Sequence, residues 1–174
     1  ANEDRVVALL GPYYTGEMQA AVPMLKELKL PLLPLTPAAT HPGVVELNEW
    51  AFLADSSEER TVSIALDAFQ KVYPNVRRIV VVGDSQTAVT AVTLRDVWPK
   101  VLPERGYEIV DTITFQFSTS DFSPIATRIR ASGAEGIALS ALSPAAPSLL
   151  QELERQGTRL PVVTSAHLHT VPPL

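Results

Sequence analysis

IVVVGDSQTAVTAVTLRDVWPKVLPERGYEIVDTITF, residues 79–115, is the stretch that decides the fold. Residues 79–82 form a continuous apolar, largely β-branched run, too short for a helix and closed by Gly83-Asp84, and predict a buried strand. From about residue 87 to 102 the apolar residues recur at helical spacing, with Pro99 and Pro103 bending or ending the helix. Residues 109–115 return to strand character. A strand, a helix and a strand in succession demand a crossover connection, hence parallel strands with helices packed on the sheet.

Outward from this unit the pattern repeats. Downstream come a helix over 122–131, a strand over 137–142, a helix over 145–156 and a strand over 162–164. Upstream, Ser56-Ser57-Glu58-Glu59 is a helix-start signal, followed by Val62, Ala65, Leu66, Phe69 and Val72 on one helical face. Residues 57–164 therefore predict a three-layer α/β/α sandwich around a mostly parallel sheet of about four strands.

The first fifty residues read less regularly. Residues 6–10 are a continuous apolar run ending at Gly11-Pro12 and predict a buried strand. Met18, Ala21, Val22, Leu25 and Leu28, separated by Lys26 and Glu27, predict an amphipathic helix that accommodates Pro23 with a kink. Residues 32–35 predict a second strand, 36–43 a loop with Pro37 and Pro42, and 50–53 an extended segment. An edge as apolar as 6–10 should pair with a second copy or remain poorly packed, so a dimer through that edge is an expectation.

Composition narrows the partners. The 174 residues carry 14 Lys and Arg against 19 Asp and Glu, a formal net charge of −5 with no block of like charge, which leaves no basic footprint for nucleic acid or an anionic membrane. With no cysteine, thiolate metal sites and thiol nucleophiles are excluded. No apolar run approaches a membrane span, Ala1-Asn2-Glu3-Asp4-Arg5 is not a signal peptide, and both ends read as cut, so a fragment is expected.

In an open parallel sheet, ligands sit beyond the carboxyl ends of the strands. That points to the segments 11–16, 36–40, 83–88, 142–144 and 164–169. None contains a dinucleotide fingerprint, a phosphate loop or a nucleophile elbow. His167 and His169 could share a direction on an extended segment and His41 is the one further histidine, so a zinc site is short of ligands and a loop or tail is the plainer reading. Asp84, Asp111 and Asp121 are candidate acids or bases, with loop support the plainer reading for Asp84 and a helix start for Asp121. Thr15 and Thr40 either hold a ligand carboxylate or cap a helix or turn, and Tyr13 and Tyr14 either form an aromatic wall or pack ordinarily.

Three segments together resemble a known family. Residues 6–16, with Gly11-Pro12-Tyr13-Tyr14-Thr15-Gly16, then Pro31-Leu32-Leu33 with Pro37-Ala38-Ala39-Thr40-His41-Pro42, then Thr119-Ser120-Asp121-Phe122-Ser123-Pro124 with Gly133-Ala134, are similar to the type 1 periplasmic binding proteins of the Leu/Ile/Val class. The resemblance implies two lobes, with residues 1–53 part of lobe one and 54–174 an incomplete lobe two. It implies no enzyme and no cofactor, but an extracytoplasmic receptor that closes on a small molecule and docks on the membrane permease of an ABC importer. It implies ligand contacts from Tyr14, Thr15, Ala38 and Thr40 on lobe one and from Gln86, Leu142 and His167 on lobe two. Ser165-Ala166-His167 lacks the acid with which the family holds a ligand ammonium, so the ligand class is a carboxylate-bearing solute, amino acid or amine-free organic or aromatic acid. The alternatives are a ligand-sensing domain of a signalling receptor and a metal-dependent hydrolase built on the histidines.

Overall fold

A computed structural model describes residues 6–13, 15–35, 48–52 and 56–165. The chain divides into two compact units, Ala1–Arg60 and Thr61–Leu174.

The second unit is the predicted sandwich. Helix α2, Glu58–Val72, starts where Ser57 Oγ accepts the Arg60 amide at 3.1 Å, the capping geometry that the serine before two glutamates predicts. There follow β3, Arg78–Asp84; α3, a continuous helix composed of Ala88–Val92, a π-helical turn Thr93–Val97 and Trp98–Glu104; and β4, Glu108–Phe115. Then come α4, Ser123–Ala131; β5, Gly136–Ser140; α5, Ala145–Arg155; and β6, Val162–Thr164. All the pairings are parallel, in the order β4-β3-β5-β6.

Alternation along the two central strands builds two cores. Ile79 and Val81 of β3, with Ala138 of β5, face Leu66 and Phe69 of α2 and Trp98 of α3. Val80 and Val82, with Ile137 and Leu139, face Ile129 of α4 and Leu149 of α5. Both central strands are therefore buried on both faces, as continuous apolar runs in a parallel sheet should be. Each fully buried Leu or Ile contributes on the order of 1.5–3 kcal/mol over its exposed state.

The first unit is slighter. Strand β1, Leu9–Leu10, pairs in parallel with β2, Leu32–Leu33, and Ala51 bridges to Leu32. Helix α1, Thr15–Glu27, contains Pro23 and packs Met18, Val22 and Leu25 around Leu32. Here the structure corrects the sequence reading, because residues 6–10 are neither a full strand nor buried. Only Leu9 and Leu10 pair, and Val7 is 83% and Leu10 72% exposed. The run has one short parallel neighbour, and no second layer covers its outer face among the described residues. An apolar groove of about 390 Å³, lined by Leu10, Pro12 and Met24 among others, lies against it. Residue 53 of the extended segment 50–53 lies outside the described residues.

Candidate functional site

The site-bearing end of the second unit follows from its topology. From β3 the chain leaves toward the face that holds α2 and α3, whereas from β5 it leaves toward the opposite face, which holds α4 and α5. Since β3 and β5 are neighbours, their two exit loops diverge, and such a switch point is where open parallel sheets bind ligands.

Three residues build its floor. Gly83 pairs in register with Ser140, and a Cβ on Gly83 would lie 2.2 Å from the Ser140 carbonyl oxygen, so only glycine permits this approach. Ser140 Oγ accepts the buried indole N–H of Trp98 at 2.8 Å, which satisfies a donor the core would otherwise strand. Asp84, 1% exposed, folds the exit loop over itself: Oδ1 accepts the Gln86 amide at 2.8 Å, while Oδ2 accepts the Thr87 amide at 3.3 Å and the Thr87 hydroxyl. Thr90 Oγ1 donates to the Asp84 carbonyl at 2.7 Å. The aspartate is thus an Asx-type brace at the start of α3, the loop support that its position suggests.

The loop is also tied sideways. Ser85 donates its amide and its hydroxyl to the Phe115 carbonyl at 3.0 and 3.2 Å. Gln86 Oε1 accepts the Phe117 amide at 3.1 Å. Sequence reasoning missed this link between the ends of β3 and β4, since the partners stand 31 residues apart and no local pattern signals them. Leu142 lies just past β5, half-buried, in the loop rather than in the strand expected to reach it, and its carbonyl accepts the Ala146 amide at 3.1 Å.

The other acidic candidates are held ionised in structural roles. Asp121 Oδ1 accepts the Ser123 amide at 2.9 Å, and that hydrogen bond holds its carboxyl below the usual range. Asp111 sits within β4 rather than at its end and pairs with the Arg128 guanidinium through two 2.8 Å bonds, which lower its pKa. Neither is poised to exchange a proton near neutrality.

In the first unit, the Gly11 amide donates to the Leu33 carbonyl at 2.9 Å and Leu35 to Pro12 at 3.2 Å, laying the turn beside the end of β2. Gly11 takes φ +110°, a conformation suited to glycine. Thr15 begins α1 directly after this turn. Tyr14, Ala38, Thr40 and His167 lie outside the described residues, as do His41 and His169. Among the described residues no three His, Asp or Glu side chains gather as a metal ion would require, and no helix is long and apolar enough to cross a membrane.

Known proteins share this architecture. Residues 1–172 match the family model of the periplasmic binding proteins. The Leu/Ile/Val-binding protein homolog 6 of Brucella melitensis is 30% identical over 149 residues, 85% of this chain and 36% of that protein. A solute-binding protein of an ABC transporter from Rhodopseudomonas palustris, solved with p-hydroxybenzoic acid, superposes with a TM-score of 0.78 at 20% identity, over 99% of this chain and 46% of that one. The branched-chain amino acid transporter substrate-binding protein LivJ of Streptococcus pneumoniae, solved with isoleucine, gives 0.74 at 20% identity, over 95% and 46%. The two structural likenesses establish the fold, and the chain spans about a third of the length of the curated relatives it matches. The chain belongs to the periplasmic binding protein family and carries the type 1 fold of its branched-chain amino acid class.

Proposed function

We propose that the complete protein is an extracytoplasmic solute-binding receptor of an ABC importer. It holds a small carboxylate-bearing solute between two lobes and delivers it to a membrane permease, without catalysing a reaction. Residues 1–53 belong to lobe one and 54–174 to lobe two. The observation that carries the reading is the switch point between β3 and β5, whose one described carboxylate, Asp84, is consumed in bracing its own loop. That arrangement suits a rigid binding surface rather than acid–base chemistry. The p-hydroxybenzoic acid and isoleucine held by two structural neighbours share a carboxylate, which supports the ligand class.

In this reading Tyr14, Thr15, Ala38 and Thr40 serve the ligand from lobe one, the hydroxyls of Thr15 and Thr40 on its carboxylate, and Gln86, Leu142 and His167 serve it from lobe two. A hydroxyl on a carboxylate contributes about 1.5–3 kcal/mol, because the bond is charge-assisted. Thr40→Val keeps the shape and deletes the bond. In the full-length protein, calorimetric titration with amino acids and organic acids should show affinity falling about tenfold or more, with an unchanged thermal midpoint. Full affinity together with a lowered midpoint would instead make Thr40 a structural cap.

A further inference from the structure

We infer that Asp111, held by Arg128, closes the outer edge of β4 against a further strand, and that removing it lets a second copy of the protein add there edge to edge.

The direction of the main chain identifies that edge. The Phe115 carbonyl accepts both the amide and the hydroxyl of Ser85 at the exit of β3, at 3.0 and 3.2 Å. Successive residues of a strand turn their N–H and C=O groups to opposite edges, so Phe115, Ile113 and Asp111 address β3 while Thr112 and Thr114 address the side away from it. Both threonines are exposed. The Thr112 amide is nevertheless taken, because it donates to Asp111 Oδ1 at 2.8 Å. A strand arriving here would find its first donor occupied and a carboxylate oxygen facing its own carbonyls.

The block is fixed in place. Arg128 Nε and Nη2 donate to Asp111 Oδ2 and Oδ1, each at 2.8 Å, so the carboxylate cannot swing aside without breaking a bidentate pair. Beside it the register slips: Ile79 pairs with Ile109 but Val80 with Asp111, which leaves Val110 as a bulge and adds local twist. Such devices protect sheet edges, and this edge needs protection. Ile109-Val110-Asp111-Thr112-Ile113-Thr114-Phe115 is a run of strand-forming residues without proline, in which Asp111 is the one charge. With that charge gone, the likeliest complement to such an edge is the same edge of another copy, joined antiparallel about a two-fold axis.

Hydrogen exchange and light scattering on the full-length protein test this. In the wild type the Thr112 amide should exchange about tenfold more slowly than that of Thr114, each relative to its intrinsic rate. Asp111→Val should self-associate at least about tenfold more tightly than the wild type, and in the assembly the Thr112 and Thr114 amides should slow together. Arg128→Gln should bring the Thr112 rate toward that of Thr114. Equal wild-type rates overturn the inference, since the carboxylate would then not hold the amide or the edge would already be paired. A folded Asp111→Val that associates no more than the wild type, or associates without slowing both threonines, overturns it too. Should that variant not fold, the Thr112 and Thr114 rates in the wild type and in Arg128→Gln decide, and a Thr112 rate unmoved by Arg128→Gln refutes the clamp.

Discussion

Gly83 shows how little room the switch point leaves. A methyl group there would lie 2.2 Å from the Ser140 carbonyl oxygen and 3.0 Å from Leu94 Cδ2. Strand β3 cannot slide away to make room, because β4 and β5 hold it from both sides. Gly83→Ala should therefore destabilise the protein by about 1–3 kcal/mol or more, the usual cost of overpacking a filled interior. Urea denaturation followed by circular dichroism should show a lower midpoint with an unchanged slope; an unmoved midpoint would mean the central strands can part at no cost. Sequence alone marked Gly83-Asp84 as the end of a strand and Asp84 as loop support. It could not tell that this glycine touches residue 140, because register between strands 57 positions apart leaves no trace in local pattern. Gln86 was placed at the site only through resemblance. What fixes its orientation is a bond across the ends of two strands.

At the scale of elements, legibility followed how completely each element is covered. The helices with the clearest periodicity, α2 and α5, lie where the apolar spacing placed them, within one or two residues at each end. The π-helical turn in α3 was not legible. It ends immediately before Trp98-Pro99, so the missing proline N–H falls where the regular ladder is already interrupted. The misread element was β1: a continuous apolar run implies burial only if both of its faces acquire neighbours, and a run of residues does not say which neighbours exist. Helix α5 permits a prediction of its own. Glu152 accepts from Arg155 at 2.7 Å and from Gln156 Nε2 at 2.7 Å, and these bonds, the arginine's foremost, depress its pKa to about 2. A depressed carboxylate stabilises the fold above its unfolded pKa, near 4.5, and that contribution fades as pH falls from there toward 2. Arg155→Met should raise the Glu152 pKa toward the ordinary value, read by carboxyl-carbon NMR titration. A value still near 2 in the variant would assign the shift to Gln156 and Ser123 rather than to the arginine.

The molecule as a whole comprises two units of unequal strength, and that inequality is measurable. In the second unit, Val80, Val81, Val82, Ile137 and Leu139 are at most 1% exposed, and their strands are held on both edges and under two layers of helix. Their amides can exchange only when that sandwich opens as a body. In the first unit the sheet is two residues wide along each strand, and its bonds, such as Leu9 N to the Pro31 carbonyl at 2.8 Å and Leu32 N to the Trp50 carbonyl at 2.9 Å, are backed by one small core around Leu32, with Leu9 and Leu10 exposed. Few buried contacts guard them, so local opening costs far less than unfolding. Native-state hydrogen exchange on this chain should find the Leu9 and Leu32 amides exchanging at least about 100-fold faster than those of β3 and β5, a difference of about 2.8 kcal/mol in opening free energy. The sequence could not rank the units this way, since Leu9 and Leu10 read as apolar as residues 79–82 and differ from them only in what the fold lays against them. Equal protection across all four strands would show that the two units open cooperatively, and that β1 is stabilised by more than its partners β2 and α1.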